Sequence, residues 1–584
     1  MFKFNNIVRL NSTFGRSQKR QFNPLQYSPA LWLDASDQST LTMDGAASFA
    51  SASSQYLSVA NNATISPATG LMVGCWVNLS TLPGTDQNSR LISRWLVTGS
   101  QRSYDLTLTD ISGLKRFKFY GSTNGTTVIE ATSGQVPSTS TWYFVVGWWN
   151  GSNLYCSVNG GTPGSAALAS MFDGAGALWL GAREGGADYL NGVMDSAFIL
   201  KTPTALGDGM AGSLAKSLID YLYNGGAGRR SSDFINSSLY SGSGAVSWWD
   251  LDEASGTRKD RIGTNDLTAS ASSPTYASGI ASGNVQYDGD PIKQWSDKSG
   301  NGRHVTAPSD AARSTYKTGV QNGKSCVRVD GVDDLFEVAN ASWFIALSSI
   351  TVFSVVRTEI AAAADTQTMF RSVYMYDTGL NYSYSLISSL TSGVYSGEKL
   401  SPIFGDWGPS VRTGVSTYTR NADQAQILSL TASTTGTKIY ANAVELTIDK
   451  LNAFTTTTAS GPSITGMTSP KMEVCRSGST SKYTDSLELI IYPSVLSTSQ
   501  RQQVERYLAE KWMSPPVVTL TASSTVQHLE WNAVDMATGY EVYYKLSSSN
   551  SWVLYTTTTS LWAVVQDLAV GSTYDYRVDA IWSV

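Results

Sequence analysis

The sequence has little of the side-chain chemistry on which metal enzymes and nucleophilic hydrolases depend. Its 584 residues contain two histidines, His304 and His528. A histidine-based metal site or a Ser-His-Asp triad is therefore almost excluded by count. The four cysteines show no CxxC spacing, and each lies in an apolar or alternating run. We therefore expect buried free thiols and no disulfides.

Charge and long apolar runs are also scarce. Charged residues make up 15% of the chain, and the net charge of −5 is small for this length, so we expect neither nucleic acid nor an anionic membrane as a partner. The sequence has no run of 18 apolar residues, which predicts no membrane-spanning helix. Residues 1–22 lack an apolar core and a small-residue cleavage site, so they predict no secretory leader.

Glycine, serine, threonine and aromatic residues are abundant instead. The chain contains 51 glycines, 17 tryptophans and 29 tyrosines. This mixture is typical of many short strands joined by tight turns. The sequence therefore predicts an all-β protein, and its length suits three or four domains. Two short helices are predicted, at Ala211–Tyr223 and Thr498–Met513, from their apolar stripes.

Residues 43–283 predict one sandwich. In Leu71–Leu79, LMVGCWVNL, alternate residues point to opposite faces of a strand. The stretches FASASSQYLSVANNATIS, GLMVGCWVNL, WYFVVGWWNGSNLYCSVNG and YLNGVMDSAFILKTPTAL resemble the laminin-G-like, concanavalin A-like sandwich family. That resemblance implies a jelly roll. Residues 244–268 resemble the opening of such a domain but follow its closing strand, which predicts a circular permutation; the alternative is a sandwich followed by a stranded fragment.

This sandwich interrupts another. Ala30–Thr42 and Ile292–Thr306 read end to end as one strand–turn–strand opening, which predicts a host sandwich of residues 30–42 plus 284–513. The stretches LWLDASD, WSDKSGNGRHVT, VRVDGVDD and LSTSQRQQVERYLAEKW resemble a sandwich domain common in tailed-phage virion proteins. CVRVDGVDDLFEVAN also echoes SFASASSQYLSVAN of the inserted part, as expected of two related concanavalin A-like sandwiches.

The two ends of the chain are predicted separately. Residues 514–584 resemble a fibronectin type III module, an immunoglobulin-like sandwich, with Trp531 on an early strand and Tyr574 at the corner position. The sequence ends where a seventh strand should begin, so we expect an open edge that a neighbouring subunit completes; the alternative is that the sequence is truncated there. The basic arm of residues 1–29 is a candidate for that strand, and a disordered tail is the alternative.

Four aspartates at two places in the sequence are candidate calcium ligands. Asp330, Asp333 and Asp334 follow one another in DGVDD, and Asp195 lies in the closing strand of the inserted sandwich. Calcium prefers carboxylate and carbonyl oxygens, and the family resemblance implies one such ion. The alternative is that these aspartates only stabilise turns. No cofactor is required.

Paired tryptophans are candidates for a glycan-contact surface. In Trp148–Trp149 and Trp248–Trp249, adjacent strand residues must face opposite sides of the sheet. One ring of each pair is therefore expected to face outward or to lie under another domain, and the two outward rings are the candidate contact surface. With Trp95 these rings could form a sugar-stacking platform; the alternative for most of them is a place in the sheet core.

The sequence predicts no enzyme. Concanavalin A-like glucanases place carboxylates in a Glu-x-Asp-x-x-Glu run, whereas Asp250, Asp252 and Glu253 do not match that spacing. The resemblances imply a non-enzymatic structural protein of a tailed-phage virion, located in a capsid decoration, neck, tail appendage or tail fibre. Its partners would be other virion proteins, copies of itself and host cell-surface glycans. The alternatives are a secreted or cell-surface bacterial carbohydrate-binding adhesin and, less favoured, a glycoside hydrolase.

Overall fold

The computed structural model describes most of the chain. The described residues are 22–202, 206–253, 255–345, 347–358, 370–377, 380–390, 399–406, 412–416, 424–433, 436–446, 448–450, 470–477, 483–513, 516–522, 526–534, 536–569 and 572–581. They divide into two compact units. We call Thr42–Val285 with Gly289–Lys293 the inserted unit, and the described residues of Met1–Leu41, Gln286–Asp288 and Gln294–Val584 the host unit.

Strands dominate the first half of the chain, as predicted. In chain order they are β1 Leu31–Asp34, β2 Leu41–Phe49, β3 Leu57–Val59, β4 Leu71–Leu79, β5 Asn88–Leu96, β6 Gln101–Ile111, β7 Leu114–Ser122, β8 Val128–Thr132, β9 Trp142–Trp149, β10 Asn153–Val158, β11 Gly164–Ala167, β12 Leu178–Leu180, β13 Gly192–Leu200, β14 Ala245–Trp249, β15 Thr268–Ala269 and β16 Thr275–Asn284. Short 3₁₀ turns lie at Pro24–Tyr27, Gln38–Thr40, Ser51–Ser53, Asn224–Gly226 and Tyr240–Gly242.

The inserted unit is a sandwich of two antiparallel sheets. One sheet has the order β15-β3-β12-β5-β6-β7-β8. In the other, β11, β10, β9, β4 and β13 are successive neighbours, and β2 and β14 both pair with the far edge of β13. The strand that contains Trp248 therefore pairs inside this unit, as a permuted order requires. The alternation predicted for β4 is confirmed, because Val73 and Cys75 lie in the core between the sheets and Met72 and Trp76 lie on the other face.

Two helices cover that other face. Helix α1, Leu214–Tyr223, begins after Ser213, whose hydroxyl accepts a hydrogen bond from the amide of Lys216. It ends at Asn224 in a left-handed conformation, just before the predicted glycine stop. Helix α2, Ser231–Ile235, was not predicted. Together with the sheet they bury a second apolar cluster that includes Leu218 and Phe234.

Residues 294–492 contain most of the described strands of the host unit. They are β17 Gln294–Trp295, β18 Val305–Thr306, β19 Thr315–Gln321, β20 Lys324–Val329, β21 Phe336–Val338, β22 Ser349–Thr358, β23 Phe370–Asp377, β24 Leu380–Leu390, β25 Lys399–Asp406, β26 Arg412–Ser416, β27 Gln426–Ser433, β28 Gly436–Ala441, β29 Val444–Glu445, β30 Ile448–Lys450, β31 Pro470–Ser477 and β32 Thr484–Tyr492. Helix α3 is Ser342–Ile345 and helix α4 is Thr498–Trp512.

One host sheet has the order β19-β20-β32-β22-β27-β28-β29. In the other described strands of this unit, β17, β18, β21, β31, β23, β24, β25, β26 and β30 are successive antiparallel neighbours. All nine residues of β32 are buried, because it is central in its sheet and α4 packs on one of its faces. The predicted capping box of α4 is confirmed by the reciprocal bonds of Ser497 and Gln500.

The two sequence stretches that the insertion separates lie together in the host unit. Strand β1 pairs antiparallel with β32, with Leu33 opposite Leu489. Asp297 accepts a 3.0 Å hydrogen bond from the amide of Trp32, and the amide of Lys298 donates to the carbonyl of Trp32 at 2.7 Å. The turn at residues 297–303, which follows the insertion in the sequence, therefore contacts β1, which precedes it.

The C-terminal part of the host unit is formed by β33 Val518–Ala522, β34 Gln527–Trp531, β35 Gly539–Leu546, β36 Val553–Thr558, β37 Trp562–Val565 and β38 Tyr574–Ile581. The sheets are β33-β34-β37 and β36-β35-β38. Trp531 is buried between them, and the amide of Ala569 donates to the hydroxyl of Tyr574 at 3.1 Å. This is the hydrogen bond that a tyrosine corner makes.

Other predictions concern the ends and the thiols. Cys75, Cys156, Cys326 and Cys475 are buried and free, as expected. Most of the arm predicted at residues 1–29, and the last three residues of the chain, lie outside the described residues. No described helix is both long and apolar enough to cross a membrane.

Candidate functional site

The paired tryptophans are buried in two different cores. Trp149 and Trp249 lie between the two sheets of the inserted unit, and Trp148 and Trp248 lie on the opposite face of their sheet. The two rings of each pair therefore lie on opposite faces of the sheet, as predicted. However, no more than 7% of the surface of any of the four residues is exposed. The prediction that two of these rings form an outward contact surface is wrong.

The physical reason is the helical layer. Trp248 packs between Phe198 at 5.2 Å and Phe234 of α2 at 5.3 Å, measured between ring centroids. The indole N–H of Trp148 donates to the carbonyl of Gly207 at 3.1 Å. The segment that contains α1 and α2 thus covers this face of the sheet. A ligand surface in the inserted unit must lie elsewhere.

The outer face of the other sheet contains a pocket of about 380 Å³. This volume lies near the lower end of the range for small-molecule sites, about 300–1,000 Å³. Its lining combines two aromatic rings with arginines, one carboxylate and an amide: Asn88, Arg90, Trp95, Val97, Arg102, Tyr120, Val128, Arg183 and Asp188. We call it the sheet pocket.

The lining residues of β5 reach the sheet pocket because of a bulge. The pairing of β5 with β6 shifts register between Arg90 and Ile92. Such a bulge changes by one residue which side chains face outward. Asn88 and Arg90 before the bulge, and Trp95 after it, consequently line the same pocket. The ring of Tyr120, on β7, lies 6.0 Å from that of Trp95.

Ion pairs fix the polar side of the sheet pocket. The guanidinium of Arg90 binds Asp105 of the neighbouring strand and donates from Nε and Nη2 to Oδ2 of Asp188, at 3.1 and 3.0 Å. Arg183 donates to the same Oδ2 at 2.8 Å. Burial lowers the pKa of Arg90, and the charge of Asp188 opposes that shift. These contacts order Asp188, which comes from a loop 98 residues away in sequence from Arg90.

Several polar groups of the pocket keep hydrogen-bonding capacity. Within the described residues, all side-chain bonds to Asp188 end on Oδ2, so its Oδ1 is available as an acceptor. Asn88 accepts through Oδ1 from Thr109 at 2.9 Å, which leaves its amide N–H groups as donors. Acceptors and donors beside aromatic rings are the groups that recognise a polyol with apolar C–H faces.

The acidic cluster of DGVDD is brought together as predicted. Asp330, Asp333 and Asp334 lie in the loop between β20 and β21, with their carboxylate oxygens within 4.8 Å of one another. Oδ2 of Asp334 accepts from the amide of Asp330 at 2.8 Å. Burial and the charge of Asp330 raise the pKa of Asp334 to about 7. Whether these oxygens bind calcium stays a prediction.

Asp195 is placed differently from that cluster. It is fully buried on β13, and its Oδ2 accepts from the amides of Ile280 and Ala281 on β16, at 2.8 and 2.9 Å. Its Oδ1 accepts from the hydroxyl of Ser196 at 2.8 Å. Burial raises the pKa of Asp195 to about 7. Asp195 therefore links β13 to β16, and its predicted role as a calcium ligand stays a prediction.

Two of the three carboxylates considered for glycoside hydrolysis, Asp250 and Asp252, also have structural partners. Asp250 accepts from the amide and hydroxyl of Ser231, at 2.9 and 2.6 Å. Asp252 is fully buried between Arg230 and Arg261, which hold its pKa below the usual value despite its burial. Asp250 and Asp252 are thus buried and ion-paired, whereas the side chain of Glu253 is 20% exposed, and burial raises its pKa to about 7.

Comparison with known families agrees with this architecture. Residues 51–204 match the family model Laminin_G_3, the concanavalin A-like lectin/glucanases superfamily. The match lies within the inserted unit and contains all of the sheet pocket. The all-β fold predicted from the sequence is confirmed.

Solved structures show distant likeness. A Bacteroides ovatus protein named for carbohydrate binding is 16% identical with a TM-score of 0.29, over 42% of this chain and 63% of its own length, so the chain spans less than two thirds of it. Domain 4 of AbnA, an extracellular arabinanase from Geobacillus stearothermophilus in complex with arabinotriose, is 15% identical with a TM-score of 0.26, over 38% of this chain and 99% of that domain. The ligand-binding domain of botulinum neurotoxin serotype D, in complex with N-acetylneuraminic acid, is 11% identical with a TM-score of 0.28. The match covers 44% of this chain and 65% of that one. No curated protein matches the sequence.

Proposed function

We propose that the protein binds carbohydrate without transforming it, and that the sheet pocket of the inserted unit is the binding site. The observation that carries the proposal is the composition of the pocket. The ring of Tyr120 beside Trp95 offers an apolar face for sugar C–H groups, and Asp188 and Asn88 offer an acceptor and donors for hydroxyls. The matching family model, which includes lectins, supports this reading.

The pocket does not favour glycoside hydrolysis. Most glycosidases need two carboxyl groups that flank the scissile bond, roughly 5–10 Å apart. The described lining of the sheet pocket contains one carboxylate, Asp188, and two arginines already bind it. A single carboxylate held by arginines suits hydrogen bonding to a sugar better than proton transfer.

A glycan array probed with the whole chain tests the proposal. Binding to a defined set of saccharides, competed by the same free saccharides, is the expected result. The array should be repeated with a Tyr120→Ala variant, because loss of the ring should remove signal across the whole set. An array without any saccharide above background would overturn the proposal.

The setting of this activity is a further part of the proposal. We propose a structural virion protein of a tailed phage that displays the pocket for attachment to host glycans, with calcium as a candidate ion at Asp330, Asp333 and Asp334. The support is the resemblance of LWLDASD, WSDKSGNGRHVT and VRVDGVDD to virion sandwiches. Mass spectrometry of purified particles tests it. Detection only in culture supernatant or on cell surfaces would favour the adhesin alternative.

A further inference from the structure

The sheet pocket contains one positive charge that no carboxylate balances. Arg90, Arg102 and Arg183 line it, while the carboxylates bound to these arginines are those of Asp105 and Asp188. Three guanidinium groups against two carboxylates leave one positive charge. Since a surplus charge beside a binding site favours ligands of opposite sign, the pocket favours an anionic ligand over a neutral one.

Arg102 supplies that surplus charge. Its Nη1 donates to the carbonyl of Thr126 at 3.1 Å, and no carboxylate partner of Arg102 occurs among the described residues. Arg90 and Arg183, in contrast, converge on Asp188. The remaining N–H groups of the Arg102 guanidinium therefore form an available fork, the geometry that binds a planar carboxylate through two parallel hydrogen bonds.

The two polar groups lie toward different ends of the pocket. Arg102 pairs in register with Trp95 near the end of β5, whereas Arg90 and its partner Asp188 lie nearer the start of that strand. An anionic group at Arg102 is thus separated from the carboxylate of Asp188. Hydroxyls of the same ligand can meet Oδ1 of Asp188 and the amide of Asn88.

We propose that the sheet pocket selects saccharides that carry a carboxylate, namely uronic or sialic acid residues, and that Arg102 binds this carboxylate. The proposal rests on the carbohydrate-binding function proposed above and narrows its ligand class. Arg102 determines specificity in this account, while Tyr120 and Asp188 bind the part of the ligand that acidic and neutral sugars share.

Matched sugar pairs test the ligand class. Isothermal titration of the whole chain compares the affinity for methyl β-glucuronide with that for methyl β-glucoside, and the affinity for methyl galacturonide with that for methyl galactoside. Titration with N-acetylneuraminic acid then distinguishes sialic acids from uronic acids as the source of the carboxylate. We expect a uronide or the sialic acid to bind roughly ten-fold more tightly than the neutral sugars, as for one charge-assisted contact. That advantage should shrink as salt is raised.

Arg102→Gln, with Arg116→Gln as its control, tests the residue. Arg116 also lies on this sheet, on β7, without a carboxylate partner among the described residues, and does not line the pocket. Arg102→Gln should remove the preference for the acidic sugar over its neutral partner, whereas Arg116→Gln should leave that preference, both affinities and the melting temperature unchanged.

The outcomes separate the two proposals. Neutral sugars that bind as tightly as their acids, or a preference that survives in Arg102→Gln, would overturn the selectivity and leave the carbohydrate function standing. Preference for sulfated sugars over carboxylated ones would also overturn it. Absence of binding to every saccharide would overturn both.

Discussion

The indole N–H of Trp32 donates a 2.8 Å hydrogen bond to the buried carboxylate of Glu488, 456 residues further along the chain. Tyr507 donates to the same oxygen, and Trp512 and Lys511 donate to the other at 2.7 and 2.8 Å. Burial raises the pKa of Glu488, and the charge of Lys511 opposes that shift. One carboxylate thus joins β1, β32 and α4 across the insertion.

Glu488→Ala should therefore destabilise the host unit strongly. The substitution leaves two indole N–H groups and the hydroxyl of Tyr507 buried without their acceptor, while Lys511 keeps Asp34 as an ion-pair partner. Removal of one partner of a buried pair costs about 3–5 kcal/mol. Urea unfolding should show this loss. Glu510→Gln is the control, since Glu510 forms an exposed pair with Arg506 on the same helix and its loss should cost about 0.5 kcal/mol or less. Equal effects of the two substitutions would contradict the assigned role.

The pH dependence of Asp334 follows from its neighbours. Its pKa in the folded chain is about 7, above the ordinary value of 3.8, because burial and Asp330 disfavour the charged form. A raised carboxyl pKa means that the folded state holds the proton longer, so the contribution of Asp334 to the free energy of unfolding falls as the pH rises from about 4 to 7. Asp334→Asn should remove this decline and raise the melting temperature at pH 8. A variant that is less stable at pH 8 would contradict the assignment.

Calcium provides a second test at the same residues. If Asp330, Asp333 and Asp334 bind the ion, millimolar CaCl₂ at pH 8 should raise the melting temperature of the wild type, because a ligand at 100 times its Kd adds about 2.7 kcal/mol. The same addition should not change the melting temperature of the double variant Asp333→Asn/Asp334→Asn. A wild-type melting temperature that does not respond to calcium would show that the three aspartates only stabilise the turn.

Trp248 should affect stability and leave binding unchanged. Trp248→Ala opens a cavity between Phe198 and Phe234, and deletion of a buried tryptophan costs about 3–5 kcal/mol. Trp562→Ala is the matched control, because 54% of Trp562 is exposed. Differential scanning calorimetry should show the contrast. If folded Trp248→Ala lost saccharide binding, the hypothesis that Trp248 belongs to a contact surface would be supported, against the evidence of its burial.

The alternation of apolar residues revealed much of the fold. It correctly separated the two faces of β4, and the capping pattern around Ser497 located α4. It did not reveal β5, where NSRLISRWL combines two buried arginines with a bulge that interrupts the period of two. Polar residues in a buried strand are intelligible only once their partners are known, and Asp105 and Asp188 come from elsewhere in the sequence.

The candidate site was harder to predict for the same reason. Strand periodicity states that Trp148 and Trp149 face opposite sides, but not what covers each side. Helix α1 was predicted from its own apolar stripe, yet its position over Trp148 depends on tertiary packing. The sheet pocket, likewise, exists because a loop brings Asp188 to Arg90. The DGVDD aspartates could be grouped from sequence because they are neighbours in it.

Isothermal titration of an array-selected saccharide against three forms of the chain tests the central claim most directly. The forms are the wild type, Tyr120→Ala and Tyr56→Ala. Tyr56 is the matched control, since it stacks on Trp179 at 3.8 Å on the same sheet and does not line the pocket. We predict that Tyr120→Ala weakens binding by roughly ten-fold or more, as for loss of one stacking contact, and that Tyr56→Ala binds like the wild type. Undiminished binding by Tyr120→Ala would contradict the assignment of the sheet pocket as the carbohydrate site.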